Sequence, residues 1–325
     1  MEEYQIRKYS PADYSAWNAF IGVAKNATFL FHRDFMEYHA DKFDDYSLLI
    51  LKNNSIVAAI PAHIVDDELH SHKGLTYGGF IVGGSAKLVE TILMFQELLK
   101  HLNQKNFKII HIKTVPSIYN KKSSDELLYI MFLVDAILTR RDTLSVIDLR
   151  RPFEPTKNRI QGIERGRKLN LTVNEEPKFS EFWNQILLPN LQRKHNTLPV
   201  HSVDEIINLN KYFPENIRQF NVYHGAELVA GTTVFVTDHV AHSQYIAANE
   251  NKNLLGSLDF LHYHLITNVF FDKSYFDFGI SNESNGKKLN GGIAFWKESF
   301  GARTVVQDFY TIETAAYVKL ENVLL

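Results

Sequence analysis

The stretch at residues 240–281 restricts the fold of this sequence more than any other part. It begins with Val240–Ala248, where β-forming residues alternate with polar ones as in a half-buried strand. The polar, turn-prone residues 249–253 follow, and a Leu-Gly-Ser step then leads into apolar residues at helical spacing. Residues 275–281 close the stretch as a second strand. This order of strand, glycine-containing turn, helix and strand predicts an α/β fold.

The turn before the helix has the features of an anion-binding site. Backbone N–H groups without helical partners gather at a helix N-terminus, together with the positive end of the helix dipole. Both features favour a phosphate group. We therefore expect a phosphate-bearing ligand at Gly256, the glycine of this turn.

Two segments give the C-terminal half a family resemblance. Residues 253–258 keep the first glycine of the GNAT acyltransferase loop, in which Arg or Gln is followed by two residues, Gly, one residue and then Gly or Ala. Residues 275–281 and 295–302 resemble the FemAB-like (peptidoglycan aminoacyltransferase-like) branch of that superfamily. In that branch an aromatic-Asp-aromatic-Gly strand precedes an aromatic-Lys-x-x-Phe-Gly segment. The resemblance covers about residues 155–310.

The resemblance implies an N-acyltransferase that takes its acyl group, most simply acetyl, from acyl-CoA as co-substrate. It places the donor diphosphate on the turn, with Lys297 near the transferred carbonyl and the donor phosphate. The residues expected to bind acyl-CoA are Ala247, Ala248, Lys252, Asn253, Leu255, Gly256 and Ser257. The acceptor amine is expected on an amino sugar, a nucleotide-linked sugar or an amino acid, because FemAB-like relatives act in cell-envelope and polysaccharide synthesis.

Three residues besides Lys297 are candidates for proton transfer, which contributes roughly 10²–10⁴-fold to such reactions. Glu250 follows the central strand, and Asp277 lies in a strand between two Phe residues. Either carboxylate could accept the proton of the amine, and Tyr310 could donate one to the leaving thiolate. Each residue also has a structural alternative. Glu250 could be an exposed turn carboxylate, and Asp277 the polar position of a strand. Tyr310 could be a core tyrosine, and Lys297 part of a helix-surface ion pair.

Polar and basic residues in both halves are candidates for binding the acceptor. They share side chains that can recognise a sugar or a carboxylate, and they are His32, Arg33, Arg193, His195, His201 and Tyr245. A surface loop is the alternative role for each. Residues 150–168 carry seven Lys or Arg and two Glu, which makes them a basic segment that either contacts phosphates or is a solvated helix face.

Weak similarity between the two halves predicts a duplicated architecture. Residues 55–59 match 227–231 with an offset of 172 (57 to 229), and 109–112 match 275–278 with an offset of 166 (110 to 276). We expect two tandem GNAT-like units, at residues 1–150 and 151–325, each with a mixed, mostly antiparallel sheet flanked by helices. The apolar run at 129–138 is expected to be a strand.

Composition excludes several other classes of protein. A chain of 325 residues with a net charge of −2 has no strong field for DNA, and it contains no Cys. No spacing among its 14 His predicts zinc, and Walker and Gly-x-Ser-x-Gly motifs are absent. The apolar runs are too short to span a membrane. We expect a cytoplasmic monomer or homodimer without a metal.

Two other functions remain open. One is an aminoacyltransferase that uses aminoacyl-tRNA, which needs an extended basic surface, whereas the sequence offers only residues 150–168. The other is a non-catalytic binding protein on a degenerate GNAT scaffold, since fold does not fix function.

Overall fold

The computed structural model describes residues 4–195 and 197–324, apart from the side chains of residues 39, 194 and 195. The chain forms two compact units. The first comprises the residues up to Asp142 and those from Val306 onward, and the second runs from Thr143 to Val305. The expected boundary at 150/151 lies eight residues after this division. The chain end from Val306, which we expected in the second unit, belongs to the first because β16 pairs there, as given below.

The strands, numbered in chain order, are β1 Gln5–Lys8, β2 Leu48–Lys52, β3 Ser55–Ile60, β4 His63–Val65, β5 Glu68–His70, β6 Ile81–Val82, β7 Ile109–Lys113, β8 Ile137–Asp148, β9 Thr172–Glu175, β10 Ile217–His224, β11 Glu227–Val236, β12 Val240–Ala248, β13 Tyr275–Ile280, β14 Asn282–Glu283, β15 Lys288–Leu289 and β16 Arg303–Glu313.

The α-helices are α1 Tyr14–Val23, α2 Arg33–Met36, α3 Leu88–Gln104, α4 Glu126–Leu133, α5 Lys157–Lys168, α6 Phe179–Phe182, α7 Leu188–His195, α8 Val203–Tyr212, α9 Lys252–Leu255, α10 Ser257–His264 and α11 Gly291–Glu298. The π-helical turns Trp183–Leu187 and Leu265–Val269 continue α6 and α10, and Thr314–Leu320 is a 3-10 helix. Among the described residues, no helix is both long enough and apolar enough to cross a membrane.

The first unit contains two sheets. One is antiparallel, in the order β1-β2-β3-β6, and in the other β5 and β7 pair in parallel while β4 and β16 pair antiparallel at their sides. Helix α3 packs its apolar face into the core, with buried residues Ile92, Phe95, Leu99 and Leu102. Ile312 and Leu320 join the same core, which fixes the end of the chain in this unit.

The second unit contains a mixed sheet in the order β8-β13-β12-β11-β10-β9, in which the pair β12–β13 is parallel and the others are antiparallel. Its core joins apolar residues of these strands to α10 and its π-helical continuation, including Leu261, Leu265 and Phe270. The predicted strand, turn, helix and strand of residues 240–281 are therefore present, with β12 at the predicted bounds.

The anchors of the expected duplication occupy corresponding strands. Residues 55–59 lie in β3 and 227–231 in β11, whereas 109–112 lie in β7 and 275–278 in β13. Moreover, β7 and β13 each have a parallel neighbour that precedes them in the chain and an antiparallel neighbour on the other side. The parallel pair and its antiparallel neighbour thus recur in both units, although β3 lies in a different sheet from β7 whereas β11 and β13 share one.

One sequence expectation about the elements is wrong. Residues 129–138 do not form a strand, because residues 126–133 are helical and a strand begins only at Ile137. The run is apolar on every side, with Tyr129 and Phe132 exposed, so it carries neither a helical nor an alternating period.

Candidate active site

The parallel strands of the second unit separate where their side chains become polar. Strand β12 pairs with β13 only from Val240 to His242, opposite Tyr275 to Asp277, although it continues beside β11 to Ala248. Beyond the pair His242 and Asp277 no further β12–β13 register exists, so the strands diverge there. Divergence of two parallel strands leaves the facing edge of each without a strand partner beyond the last shared position.

His242 and Asp277 form a buried imidazole–carboxylate pair at this position. Nδ1 of His242 lies 3.0 Å from Oδ2 of Asp277, which has no exposed surface. The other carboxylate oxygen accepts a 2.6 Å hydrogen bond from the Gly279 amide. The His242 side chain keeps 11% of its surface exposed. A fixed carboxylate that orients an imidazole is an arrangement suited to proton transfer.

Gly279 allows the imidazole to lie this close to β13. Its φ is +72°, a conformation that side chains with a Cβ adopt at a cost, and it sits at an irregularity in the β13–β8 register. A Cβ on this residue would lie 3.0 Å from Cε1 of His242. The aromatic-Asp-aromatic-Gly pattern of the sequence therefore places both the carboxylate and the space for its partner.

Lys297 lies in α11 and points its ammonium at the end of β13. Its Nζ donates to the carbonyl oxygens of Gly279, at 3.0 Å, and Ile280, at 2.7 Å, and the residue is only 4% exposed. Burial lowers the pKa of Lys297 to about 8, and the charge of Asp277 opposes this shift. Lys297 thus fixes the backbone beside the His242–Asp277 pair, while its expected contact with a donor phosphate remains a prediction.

The stability of the second unit should therefore depend on pH through Lys297. The folded state loses the proton of this group near pH 8, whereas an unfolded Lys keeps it to about 10.5, so between these values the unfolded state binds more protons. The free energy of unfolding then rises with pH over this window, by about 1.4 kcal/mol per unit. The free energy of unfolding of Lys297→Met, minus that of wild type, should therefore be roughly 3 kcal/mol larger at pH 7 than at pH 10.

Urea unfolding at both pH values checks this. In a Trp17→Phe background the two remaining Trp residues, Trp183 and Trp296, both lie in the second unit and report on it alone. An unchanged difference between Lys297→Met and its parent at pH 7 and 10 would contradict the burial of a charged ammonium.

A buried histidine and aromatic rings hold α10 and α11 against β13. Nδ1 of His262 donates to the Leu258 carbonyl at 2.8 Å, and its ring centroid lies 5.1 Å from that of Phe278 and 5.2 Å from that of Trp296. Burial lowers the pKa of His262 to about 4, so this ring is neutral at physiological pH. The cluster is core packing beneath the site.

The turn at Gly256, where we expected a phosphate group, is covered by helix α5. Gly256 has a φ of +68°, and its amide donates to the Lys252 carbonyl at 2.8 Å. A Cβ built on it would lie within 2.1 Å of the carbonyl oxygen of Gly162 in α5. The backbone of α5 thus occupies the space on the Cβ side of Gly256, and the expected contact between this turn and a phosphate group stays a prediction.

Glycines let α5 approach α10 this closely. Cβ atoms on Gly162 and Gly166 would overlap Asp259 and Phe260. Nη1 of Arg159 donates to Asp259 Oδ1 at 2.6 Å. Burial raises the pKa of Asp259, and the positive charge of Arg159 opposes this shift. Part of the basic segment 150–168 therefore holds the helices together.

The other residues expected to bind acyl-CoA surround this closed turn. Ala247 and Ala248 are buried and pair with β11, and Leu255 and Ser257 are buried as well. Lys252 and Asn253 lie in α9, half-buried and exposed respectively. Only Lys252 and Asn253 among them present surface to a ligand.

Two of the candidate acceptor-binding residues meet in the second unit. The Tyr245 hydroxyl lies 2.6 Å from His201 Nδ1 and accepts a hydrogen bond from the His201 amide at 3.2 Å. The ring of Trp183 packs edge-on against Tyr245. Burial raises the pKa of Tyr245 to about 12, so its hydroxyl stays protonated.

Other candidates are apart from this pair. Glu250 is largely exposed and forms an ion pair with Arg193. Tyr310 belongs to the first unit, where its hydroxyl donates to Asp308 at 3.0 Å. The side chain of His195 lies outside the described part of the chain.

The first-unit candidates His32 and Arg33 have structural contacts. Nδ1 of His32 accepts a hydrogen bond from the Asp34 amide at the start of α2. Arg33 is 1% exposed, and its guanidinium stacks on the Tyr9 ring at 3.3 Å and on that of Trp17 at 4.5 Å. Arg33 is therefore enclosed in the core and cannot reach a ligand without rearrangement.

His242 is the residue of this site that sequence reasoning missed. Its strand was predicted, but its partner Asp277 lies 35 positions later, and only the parallel register joins them. The one available signal was a histidine in a strand that precedes the aromatic-Asp-aromatic-Gly pattern.

Comparison with known proteins identifies the fold. No family model and no curated protein match this sequence. The structure is similar to FemX, with a TM-score of 0.63 and 9% identity over 94% of this chain and 96% of FemX. It is similar to L-PGS from Bacillus licheniformis, with a TM-score of 0.60 and 12% identity over 97% and 95% of the two chains. It is also similar to a conserved protein of unknown function from Bacteroides thetaiotaomicron, with a TM-score of 0.62 and 11% identity over 96% of this chain and 99% of that one.

At these identities the similarity establishes the fold alone. The expected FemAB-like fold is confirmed, because the chain shares the fold of FemX. The mixed sheet and its flanking helices agree with the expected α/β class. The chemistry of the chain must be argued from its own residues.

Proposed function

We propose that the second unit is an N-acyltransferase, in which the His242–Asp277 pair accepts the proton of an acceptor amine. The observation that carries this proposal is a fully buried carboxylate 3.0 Å from an imidazole that keeps 11% of its side-chain surface exposed, at the point where two parallel strands separate. The fold shared with FemX supports the same reaction class, because the sequence resembles the FemAB-like branch of the acyltransferases.

In this mechanism Asp277 accepts a hydrogen bond from Nδ1–H of His242, which leaves the lone pair on Nε2. As the amine nitrogen bonds to the acyl carbon, Nε2 of His242 takes a proton from that nitrogen. The bond from that carbon to the leaving group then breaks, and the proton passes from Nε2 to the departing sulfur or oxygen. Gly279 and Lys297 keep the pair in place through the backbone contacts described above.

The acyl donor expected from the sequence is acyl-CoA, and acetyl-CoA is the first donor to test. Helix α5 lies against Gly256, so we place the diphosphate beside that turn rather than on Gly256 itself. Half-buried Lys252 and exposed Asn253 of α9, just before that turn in the chain, offer surface to it. The acceptor would be a small amine on a sugar or an amino acid, with Tyr245 and His201 as candidate contacts.

A second candidate donor is aminoacyl-tRNA, and the covered turn favours it specifically. An aminoacyl ester carries no coenzyme diphosphate that must lie at Gly256. Lys157, Arg165 and Lys168 of α5 are exposed and could contact an RNA backbone.

A donor experiment separates these functions. The full chain is incubated with a panel of amino sugars, nucleotide-linked amino sugars and amino acids, and with either acetyl-CoA or mixed aminoacyl-tRNA carrying labelled amino acids. Release of free thiol, or transfer of label to a small acceptor, identifies the donor. Asp277→Asn run in parallel should lose the activity, which shows that the signal comes from this site. If neither donor is consumed with any amine, the protein is a binding protein on this scaffold and the proposal fails.

A further inference from the structure

A cluster of histidines lies on adjacent strands of the first unit. His70 in β5 is directly opposite His63 in β4 and His111 in β7, and Thr311 in β16 is opposite His111. Opposite positions share a face of the sheet, so these side chains form a row across four strands. Glu68 lies two positions before His70 on the same strand and therefore on the same face.

The side chains of Glu68, His70 and His111 hold their polar atoms close together. The rings of His70 and His111 stack with centroids 4.3 Å apart and planes 9° from parallel. Nε2 of His111 lies 2.7 Å from the Glu68 carboxylate. One ligand atom from each of Glu68, His70 and His111 can be chosen so that all three lie within 4.8 Å of one another.

We propose that Glu68, His70 and His111 bind a Zn²⁺ ion in the first unit. Two imidazoles and one carboxylate are a zinc ligand set, with bonds of about 2.0–2.2 Å and a fourth position left for water. All three residues are half-buried, so an ion can enter from solvent. The stacked rings of His70 and His111 must turn for their nitrogen lone pairs to converge on it.

The contacts of His111 are those expected of a metal ligand. Its second nitrogen, Nδ1, lies 3.0 Å from the Thr311 hydroxyl. In the neutral tautomer that would bind the ion, Nδ1–H donates to the Thr311 hydroxyl and the Nε2 lone pair faces the metal beside the Glu68 carboxylate. Such an outer contact fixes the tautomer and orientation of a metal-binding imidazole.

The sequence did not predict this site because its ligands come from two strands. His70 and His111 are far apart in the chain and match no zinc spacing, and only the parallel register of β5 and β7 joins them.

The site also corresponds to the His242–Asp277 pair of the second unit. The offset of 172 that relates the first anchors carries His70 to His242, and the offset of 166 carries His111 to Asp277. Each pair occupies the parallel strands at equivalent positions. The duplicated position therefore carries polar chemistry in both units, with the ligand set of a metal in the first and a proton-transfer pair in the second.

Titration of the metal-stripped, untagged full chain with Zn²⁺, followed by competition with a chromophoric chelator, tests the proposal. We expect one equivalent to bind, and loss of a ligand in His70→Ala or His111→Ala to weaken binding by more than the roughly 10–100-fold typical of a change outside the ligands. Thr311→Val, which leaves the ligands intact, should weaken it by roughly 10–100-fold. The control His101→Ala, in α3 of the same unit, should bind as wild type.

Two further readouts keep the test decisive. Co²⁺ in place of Zn²⁺ should give the visible absorption of a four-coordinate ion in wild type and His101→Ala, and none in His111→Ala. Circular dichroism of each variant checks that it is folded. Absence of stoichiometric binding by folded wild type, or binding that survives the double change His70→Ala/His111→Ala, overturns the proposal and leaves the cluster as stacked imidazoles alone.

Discussion

Replacing His242 by Ala is expected to lower kcat/KM for acyl transfer by roughly 10²–10⁴-fold, the usual contribution of a positioned general base. The acceptor amine would then have to lose its proton to solvent. Asp277→Asn should cause a loss of similar size, because the amide can present its N–H to His242 and favour the wrong tautomer. The Asn side chain keeps an oxygen that can accept the hydrogen bond from the Gly279 amide, so the end of β13 should stay folded.

Steady-state rates with whichever donor proves active measure this effect. His264→Ala is the matched control, since His264 is a half-buried histidine of the same unit outside the pair, and it should stay within a few-fold of wild type. Added imidazole should restore part of the activity of His242→Ala, which loss of folding would not permit. Wild-type activity in both His242→Ala and Asp277→Asn would show that the pair is structural and that another residue takes the proton.

Local patterns predicted the part of the fold that surrounds this pair. Strand β12 was predicted at its observed bounds because its alternation reflects one buried face. Helix α4 was not predicted, since its residues are apolar on all sides and carry no period. Sequence pattern therefore identified elements where burial is one-sided and failed where it is not.

The site was less predictable than the fold because its geometry depends on contacts between distant segments. The sequence identified Asp277 and Lys297 through a family resemblance. It did not reveal that His242 faces Asp277 or that Lys297 binds backbone carbonyls. Gly256 was identified as a turn glycine, whereas its neighbour in space, Gly162, was interpreted only as part of a basic helix. Neither relation has a signal in local spacing.

The covered turn gives the second large prediction, a loss of stability in Gly256→Ala. A Cβ at this position would lie 2.1 Å from a backbone oxygen of α5, which cannot move without shifting the helix. Left-handed backbone strain costs an L-residue about 1–2 kcal/mol, and overpacking adds typically 1–3 kcal/mol. We therefore expect the free energy of unfolding of the second unit to fall by roughly 3 kcal/mol, with or without ligand.

Gly225→Ala is the control that separates the two causes. Gly225 also has a positive φ, +60°, but nothing lies within 4 Å of its added Cβ, so this variant should show the backbone strain alone. Urea unfolding in the Trp17→Phe background measures both changes in the second unit. A loss for Gly256→Ala well above that for Gly225→Ala means that α5 fills the space beside the turn. Equal losses would instead mean that the turn is open, and the diphosphate of acyl-CoA could then lie on Gly256 as the sequence alone predicts.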